Sequence, residues 1–403
     1  MKNIIVQKFG GTSVADISCI ENVANLVSKE KDKGSNVVVV VSAMSGITDE
    51  LIKKVNQVFC DDSESARKEY DVAIASGEQV SAALLALMLQ KKGYNARSWL
   101  SWQIPIISDS NYNRAEIVSV NTDKIIESLK QDEIPVIAGF QGVYEDRITT
   151  IGRGGSDTTA TAIAAALFAK RCDIYTDVSG VFTADPNVVK DAKKIDEISY
   201  EEMLELSSSG AKVLNAKSAE IAIKHNVPLR VLSSFNEGSG TVFIKDSSHK
   251  NKSITAITHS KNEAKITIEL SNNSGVARAL ALLAQYDVKV DMIAQNFNKV
   301  KRNFALTFVI KKSELDQTLN ILQSSKESLD YTNIEKEICL SKISIIGVGI
   351  QSNCTIVQQI FEVFAEENRE MLLVSVSELK ISILVNEAHD DLMLKKLHKK
   401  FNL

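Results

Sequence analysis

The sequence predicts an α/β domain of three layers with a mainly parallel sheet, followed by two smaller α+β modules. Three observations lead to this fold class. Strand and helix patterns alternate over residues 1–245, a polar segment follows at residues 246–252, and one order of elements then occurs twice. A chain of 403 residues has room for two or three domains of ordinary size.

The elements of the first domain follow from the spacing of apolar residues. Residues 3–7 read as a buried strand, and residues 15–31 read as a helix with apolar side chains on one face. Five consecutive valines at 37–41 indicate a strand covered on both faces. Such alternation favours helices on both faces of one parallel sheet. Later elements are predicted as helices at 77–92 and 158–169 and strands at 134–138 and 172–175.

The region after the linker repeats the order β-α-β-β-α. Residues 264–340 complete a β-α-β-β-α-β module of the ferredoxin-like kind, whereas residues 341–403 lack one strand. Residues 253–258 are an unused strand candidate, because four of the six are β-branched. Open sheet edges are a liability. We therefore expect residues 253–258 to pair with strands from residues 341–386, which makes the first module an insertion within the second.

Composition excludes several classes of protein. The 47 basic and 51 acidic side chains give a net charge of -4, which offers no basic field for nucleic acid or acidic membranes. The five cysteines are scattered and odd in number, which favours a reducing compartment with neither disulfides nor a metal site. No stretch approaches the ~20 apolar residues that span a bilayer. We expect a cytoplasmic protein.

The most informative motif is the glycine-rich segment at residues 8–13, between the first strand and the first helix. Glycines there would let the backbone approach a phosphate, and Lys8 adds a positive charge. A tight strand-to-helix turn would explain the glycines equally well. The chain has no GxxxxGK[ST] motif and no HRD or DFG motif, so it is neither a P-loop enzyme nor a protein kinase.

Four further segments place polar residues at strand ends or helix starts. Residues 152–159 surround Arg153 and Asp157 with glycines, and arginine suits a planar grip on a carboxylate or phosphate. Ser156 or Asp157 is the predicted N-cap of the helix at 158–169, and Asp157 reads alternatively as a ligand for a cation. Residues 176–186 follow a buried strand, where open α/β sheets bind ligands. Taken alone, Glu78 in a first helical turn and Lys212 on a helix carry little information.

Six motifs in a fixed order resemble those of the aspartokinases of the amino-acid kinase superfamily. The two C-terminal modules resemble the paired ACT regulatory domains of that family, and the resemblance covers nearly the whole chain. The motifs are KFGGTSV (8–14), VSAMSGITD (41–49), SGEQVS (76–81), GRGGSDTTA (152–160), TDVSGVFTADP (176–186) and GAKVL (210–214). The resemblance thus implies an amino-acid kinase fold at 1–245, a linker at 246–252, a first ACT module at 264–340, and a second at 253–258 plus 341–403.

The resemblance also assigns roles to residues. The transferring phosphoryl group and the nucleotide would contact Lys8, Gly10, Gly11, Ser13, Thr176, Asp177, Phe182, Asp185 and Lys212. The aspartate site would contain Ser42, Thr48, Glu78, Arg153, Ser156 and Asp157, with Arg153 on the α-carboxylate and Glu78 and Asp157 near the ammonium group. Lys8 and Asp157 would be catalytic, with Asp157 orienting Lys8. An effector would contact Asn273, Ser274, Gly275, Asp291, Gln295 and Asn296.

Two positions depart from the family pattern. Asn187 stands where an arginine often follows the Asp-Pro pair, and Asn215 with Ala216 replaces the usual His-Pro. Both concern the nucleotide side of the site. No residue assigned to the chemistry is lost.

The implied reaction is transfer of the γ-phosphoryl group of ATP to the side-chain carboxylate of L-aspartate. The implied partners are ATP, Mg²⁺ held mainly through the nucleotide, an amino-acid effector (lysine or threonine, with lysine favoured), and a second copy of the chain. Neither nucleic acid nor a membrane is expected as a partner. Two alternatives remain at this point: a superfamily kinase acting on glutamate, a nucleoside monophosphate or carbamate, and a non-catalytic amino-acid sensor.

Overall fold

The computed structural model describes residues 3–58, 63–152, 154–211, 213–245, 253–300 and 302–403. The chain divides into two units. The first comprises Met1–Phe182, Lys194–Ser208 and Lys212–His249, and the second comprises Thr183–Lys193, Ser209–Ala211 and Lys250–Leu403. The predicted linker at residues 246–252 lies outside the described residues, and the domain boundaries drawn from the sequence stay predictions.

The first unit contains two sheets within the described residues. Its strands are β1 (Ile4–Phe9), β2 (Asn36–Val41), β3 (Ala96–Trp99), β4 (Ile106–Ser108), β5 (Ile117–Val120), β6 (Ile134–Ala138), β7 (Gln141–Tyr144), β8 (Arg147–Thr150), β9 (Arg171–Thr176), β10 (Glu197–Ser199), β11 (Leu229–Ser233) and β12 (Thr241–Ile244). The larger sheet has the order β10-β12-β11-β9-β1-β2-β6-β3, and the smaller has the order β5-β4-β7-β8. In the larger sheet only β11 and β12 pair antiparallel, so the predicted mainly parallel sheet is confirmed.

The helices of the first unit begin and end at recognisable signals. They are α1 (Ile17–Lys31), α2 (Ile47–Val58), α3 (Glu64–Ile74), α4 (Ser76–Lys91), α5 (Asp123–Lys130), α6 (Gly155–Ala166), α7 (Tyr200–Ser208) and α8 (Ala216–His225). The Asp16 side chain caps α1 by accepting from Cys19 N, and Asn215 caps α8 by accepting from Lys217 N. These two capping side chains therefore fix where α1 and α8 start.

The core of the first unit lies between the central strands and two helices. All five valines of β2 are buried, as predicted, and Val37, Val39 and Val41 pack in one cluster with α1 and α4. The stretch Glu64–Lys91 is long and apolar enough to cross a membrane by length and composition, which the sequence analysis did not anticipate. It consists of α3 and α4, and Leu85 and Leu89 of α4 are fully buried in this core. A core helix passes the same test, so the stretch is weak evidence for a membrane span.

The second unit is one antiparallel sheet with helices. Its elements are β13 (Ala256–Leu270), α9 (Asn273–Gln285), β14 (Ile293–Asn298), β15 (Asn303–Lys311), α10 (Leu315–Ser324), α11 (Lys326–Leu329), β16 (Tyr331–Ile346), α12 (Cys354–Glu366), β17 (Leu373–Val376), β18 (Lys380–Asn386) and α13 (Asp390–Lys400). The strand order is β14-β15-β13-β16-β18-β17 among the described residues. The order β-α-β-β-α predicted for each module is present.

The pairing predicted for residues 253–258 is confirmed. Ala256, Ile257 and Thr258 pair antiparallel with Ile346, Ile345 and Ser344 of β16. The two predicted modules, however, do not have two separate sheets. The strands β13 and β16 each run on through both modules, with register shifts between Ser260 and Lys265, so the modules share one continuous sheet.

The segment Thr183–Lys193 belongs to the core of the second unit. Ala184 and Val189 pack in an apolar cluster with Ile254, Ile257 and Leu397. Thr183 O accepts a hydrogen bond from Ile257 N at 2.8 Å, and Thr183 Oγ1 is 2.9 Å from His398 Nε2. Part of the fifth sequence motif, including Asp185, is therefore built into the second unit.

Candidate active site

The first site residue is Lys8, near the end of the central strand β1. Its side chain is nearly buried, and its Nζ lies 2.6 Å from Asp157 Oδ1. A Cβ at Gly10 would lie 3.3 Å from Lys8 Nζ, so the glycine keeps space open beside the ammonium group. A 3₁₀ turn at Gly11–Val14 follows the strand, and α1 then begins at Ile17, two residues later than predicted. The motif therefore presents the Lys8 ammonium group, paired with Asp157, beside two glycines.

Parallel strands bring their carboxyl ends together around this turn. Ser42 follows β2, and its N–H donates to Phe9 O at 3.0 Å. Ser234 follows β11, and its N–H donates to Thr176 O, the last residue of β9, at 2.9 Å. Ser13 Oγ lies 2.6 Å from Ser234 Oγ. Four strand ends thus converge, as expected for a ligand site in an open α/β sheet. The sequence analysis missed Ser234, whose position just after a buried strand was the available signal.

Helix α6 supplies the partner of Lys8. The helix begins at Gly155, and its cap position Gly154 has φ of +69° and no side-chain cap bond. The predicted N-cap at Ser156 or Asp157 is therefore wrong, because the helix starts before both residues. Both are buried in the first turn, where the helix dipole favours an acidic side chain. Asp157 is instead the ion-pair partner of Lys8.

Glycines let α6 approach the neighbouring elements closely. A Cβ at Gly139, just after β6, would lie 2.8 Å from the Ser156 side chain, and one at Gly155 would lie 2.8 Å from Phe140. A Cβ at Gly154 would lie 2.3 Å from the amide nitrogen of Asn215. The departure from the family at Asn215 thus lies directly against this loop. Arg153, in the same loop, lies outside the described residues.

Glu78 is a buried carboxylate in the first turn of α4. It is 3% exposed, and its Oε1 accepts a hydrogen bond from Ala43 N at 3.0 Å. Its Oε2 is buried and finds no hydrogen-bond partner among the described residues. Burial raises the pKa of Glu78 from its ordinary value of 4.5 to about 7, although the Ala43 N–H acts in the opposite direction. Perturbed, incompletely paired carboxylates of this kind mark ligand sites.

Some of the remaining predicted residues of the first unit lie near Lys8 and Asp157, whereas the positions of others give no support for their predicted roles. Thr48 is half-buried in the first turn of α2, and Thr176 Oγ1 donates to Asp177 Oδ1 at 3.1 Å. Phe182 pairs with Lys194 in an isolated bridge. Lys212 lies outside the described residues. The structure therefore brings Lys8, Ser13 and Asp157 together with Thr176, while Thr48 and Phe182 stay predictions.

Asp185 lies in the second unit. Its Oδ1 accepts a hydrogen bond from Asn187 N at 2.8 Å, so the carboxylate caps its own turn. Asn187 is exposed and takes part through its backbone. The assignment of Asp185 to the nucleotide stays a prediction.

The predicted effector residues lie near the start of α9 and along β14. Asn272 Oδ1 accepts from Gly275 N at 2.9 Å and from Ser274 Oγ at 2.6 Å, which is ordinary helix capping. Gln295 Nε2 donates to Asn273 Oδ1 at 3.2 Å, so these two predicted residues meet. Asp291 forms an ion pair with the buried Lys342 of β16. Asn296 is exposed on β14.

One cluster that the sequence did not suggest lies in the second unit. The side chains of His259, Asp390 and Asp391 lie close enough together to hold a metal ion. Lys261 Nζ, however, lies 3.5 Å from Asp390 Oδ2 and 3.0 Å from Asp391 Oδ1, and it supplies the positive charge. The cluster is therefore an ion-pair network between β13 and α13.

Comparison with known proteins agrees with this geometry. The model of the amino acid kinase family matches residues 3–233, and the ACT domain model matches residues 343–401. Aspartate kinase of Pseudomonas fluorescens is 42% identical over 99% of this chain and 98% of its own length. The chain belongs to the aspartate kinase family. It is an ATP-dependent kinase with an amino-acid kinase fold and a C-terminal ACT domain.

Other relatives extend this result. Aspartokinase 2 of Bacillus subtilis is 41% identical over 99% of this chain and 98% of its own length. The crystal structure of E. coli aspartokinase III in complex with aspartate and ADP superposes on this chain with a TM-score of 0.85. The two sequences are 26% identical, and the match covers 100% of each chain. The family membership predicted from the six motifs is confirmed, and a chain that only senses amino acids does not fit it.

Replacing Glu78 by Gln should stabilise the protein above neutral pH. Because the folded-state pKa of Glu78 is raised to about 7, the folded protein keeps a proton that the unfolded chain releases. Stability therefore falls as the pH rises from ~4.5 to ~7. Glutamine has no charge and keeps an acceptor for Ala43 N, so Glu78→Gln should be more stable at about pH 8, by on the order of 2–3 kcal/mol. Denaturant unfolding at several pH values measures this.

The matched control for this measurement is Glu220→Gln, an exposed position on α8. Its unfolding should follow the wild-type pH dependence. If Glu78→Gln and the wild type show the same pH dependence, Glu78 does not titrate as its burial requires.

Proposed function

We propose that the chain transfers the γ-phosphoryl group of ATP to the side-chain carboxylate of L-aspartate, giving 4-phospho-L-aspartate and ADP. The observation that carries the proposal is the Lys8–Asp157 ion pair at the end of β1, among four converging strand ends. The family membership and the aspartate and ADP bound by E. coli aspartokinase III support the choice of substrates. We place the enzyme in the cytoplasm, where it would catalyse the first step in the synthesis of lysine, threonine and methionine.

The chemistry needs charge more than it needs a base. An aspartate side chain has a pKa of about 3.9, so the nucleophile is already ionised at neutral pH. An oxygen of this carboxylate bonds to the γ-phosphorus as the bond to the ADP oxygen breaks. Lys8 and the backbone of Gly10 and Gly11 would stabilise the negative charge that the two anions bring together. Asp157 holds the Lys8 ammonium group in place.

Mg²⁺ fits this site as an ion bound mainly through the nucleotide. Among the described residues, Asp157 is the carboxylate next to Lys8, and it is already paired with it. Mg²⁺ commonly binds few protein groups and several phosphate oxygens and waters. When bound, the ion would neutralise part of the phosphate charge. Ser13 and Thr176, at neighbouring strand ends, offer hydroxyl groups on the nucleotide side.

The acceptor would be held at both ends of its amino-acid group. Glu78 Oε2, buried and without a hydrogen-bond partner among the described residues, suits the ammonium group of aspartate. Arg153 would bind the α-carboxylate in a bidentate manner. Ser42, Thr48 and Ser156 would line the rest of the pocket.

An assay of ATP consumption with a set of acceptors tests the proposal. Aspartate should support turnover, whereas glutamate, nucleoside monophosphates and carbamate should not. In Arg153→Lys the bidentate geometry is lost, so the KM for aspartate should rise at least tenfold while the KM for ATP changes little. A larger change in the KM for ATP would move Arg153 to the nucleotide site, and turnover with another acceptor alone would overturn the proposed function.

Regulation by an amino acid is the second part of the proposal. Strand β14 is at the edge of the sheet, carries no charged residue, and exposes Ile293 and Phe297 by about half. Such an edge readily pairs with another chain. We infer a dimer through this edge, with lysine bound near Asn273 and Gln295. A second solved structure of E. coli aspartokinase III contains lysine and aspartate and is 25% identical with a TM-score of 0.73.

Phe297→Lys should therefore give a monomer that lysine no longer inhibits, with basal activity near that of the wild type. Val300→Lys is the matched control, because Val300 is an exposed apolar residue beyond the end of β14. Light scattering and inhibition by lysine and threonine, alone and paired, report both properties. A wild-type chain that is monomeric and insensitive to both amino acids would contradict this part of the proposal.

A further inference from the structure

Asp71 is a fully buried carboxylate that the site described above does not use. It lies on α3 and is 0% exposed. Its Oδ2 accepts hydrogen bonds from Asn113 N at 3.0 Å and from Thr150 N at 2.9 Å. Its Oδ1 accepts from Thr150 Oγ1 at 2.7 Å. One side chain therefore holds two separate backbone segments.

These segments border Gly152. Thr150 is the last residue of β8, and Thr150 O accepts from Ala115 N at 2.9 Å. Gly152 has φ of +75°, and a Cβ there would lie 3.5 Å from Asn113 O. Asp71 thus fixes both the end of strand β8 and the segment that Gly152 lies against.

The other end of the same helix leads to Glu78. Helix α3 ends at Ile74, and after Ala75 the chain continues as α4, which carries Glu78 in its first turn. Gln141, fully buried on β7, donates its Nε2 to Ala75 O at 2.7 Å. The helix break before Glu78 is therefore held in place, and Asp71 is one turn away from it.

A buried carboxylate costs folding free energy that an apolar side chain at the same place would not. Burial raises the pKa of Asp71, even though its three hydrogen bonds and Arg67 act to lower it. Buried charges usually cost more than apolar residues of similar size. The hydrogen bonds to backbone N–H groups give something that an apolar residue cannot, which is a fixed position for two loops.

We propose that Asp71 is a positioning residue for the acceptor site, which sets the spacing between Glu78 and the backbone of Thr150 and Gly152. This inference rests on the proposed function, in which Glu78 holds the ammonium group of aspartate and Arg153, next to Gly152 in the sequence, binds its α-carboxylate. Asp71 contacts neither group of the substrate. Its predicted effects are on the affinity for aspartate and on the discrimination against the longer acceptor glutamate.

The test compares two substitutions at this position. Asparagine preserves the network, because its oxygen accepts from both N–H groups and its NH₂ donates to Thr150 Oγ1. Leucine of similar size leaves both N–H groups unpaired. Asp71→Asn should keep the KM for aspartate within about threefold of the wild type, whereas Asp71→Leu should raise it at least tenfold. The KM for ATP should stay within about twofold in both, and Asp71→Leu should lose discrimination between aspartate and glutamate.

Controls separate positioning from general destabilisation. Ile74→Ala removes a buried apolar side chain from the same helix and should leave the ratio of the two KM values unchanged. Thr150→Val removes one of the three hydrogen bonds and should raise the KM for aspartate by a smaller factor than Asp71→Leu. This variant tests the proposal if Asp71→Leu does not fold. Equal changes in both KM values, an effect on kcat alone, or the same shift in Ile74→Ala would overturn the proposal. A wild type inactive with aspartate would instead overturn the proposed function.

Discussion

The ion pair between Lys8 and Asp157 is the interaction on which the site depends. It joins the central strand β1 to the first turn of α6, and both side chains are about nine-tenths buried. Leaving either charge buried without its partner costs roughly 3–5 kcal/mol. The pair therefore fixes where α6 begins relative to the sheet. It also keeps an ammonium group at the point where four strand ends converge.

The glycines and buried polar groups around this pair follow from the same requirement. The first turn of α6 packs closely on its neighbours because small residues stand at the contacts: there is no space for a Cβ at Gly139, which faces Ser156, or at Gly155, which faces Phe140. Elsewhere in the first unit, single buried side chains hold backbone segments: Asp71 holds Asn113 and Thr150, and Gln141 holds Ala75, which precedes the helix of Glu78. Close packing supplies the rigidity that positions charge for a phosphoryl transfer. The site is thus built by the same contacts that close the core.

The sequence predicted the parts of the structure that depend on local pattern. Valines 37–41 could be assigned to a buried strand because no other element accepts five β-branched residues so readily. Residues 253–258 could be paired with the last module because a strand was missing there. By contrast, the capping and ion-pairing readings of Asp157 differ only in where Lys8 lies in space. Asp71 reads as an ordinary helical aspartate until Asn113 and Thr150 are seen beside it. The inclusion of Thr183–Lys193 in the second unit depends on contacts between residues far apart in the chain.

A double-mutant cycle on Lys8 and Asp157 tests the central claim most directly. The single changes Lys8→Ala and Asp157→Asn, the double change, and the wild type are compared by kcat/KM for aspartate and ATP. If Asp157 acts mainly by holding Lys8, each single change should lower kcat/KM at least a hundredfold. The double change should then be little worse than Lys8→Ala alone, with a coupling energy of about 2–4 kcal/mol. Additive losses, or near-normal turnover in Lys8→Ala, would contradict this account.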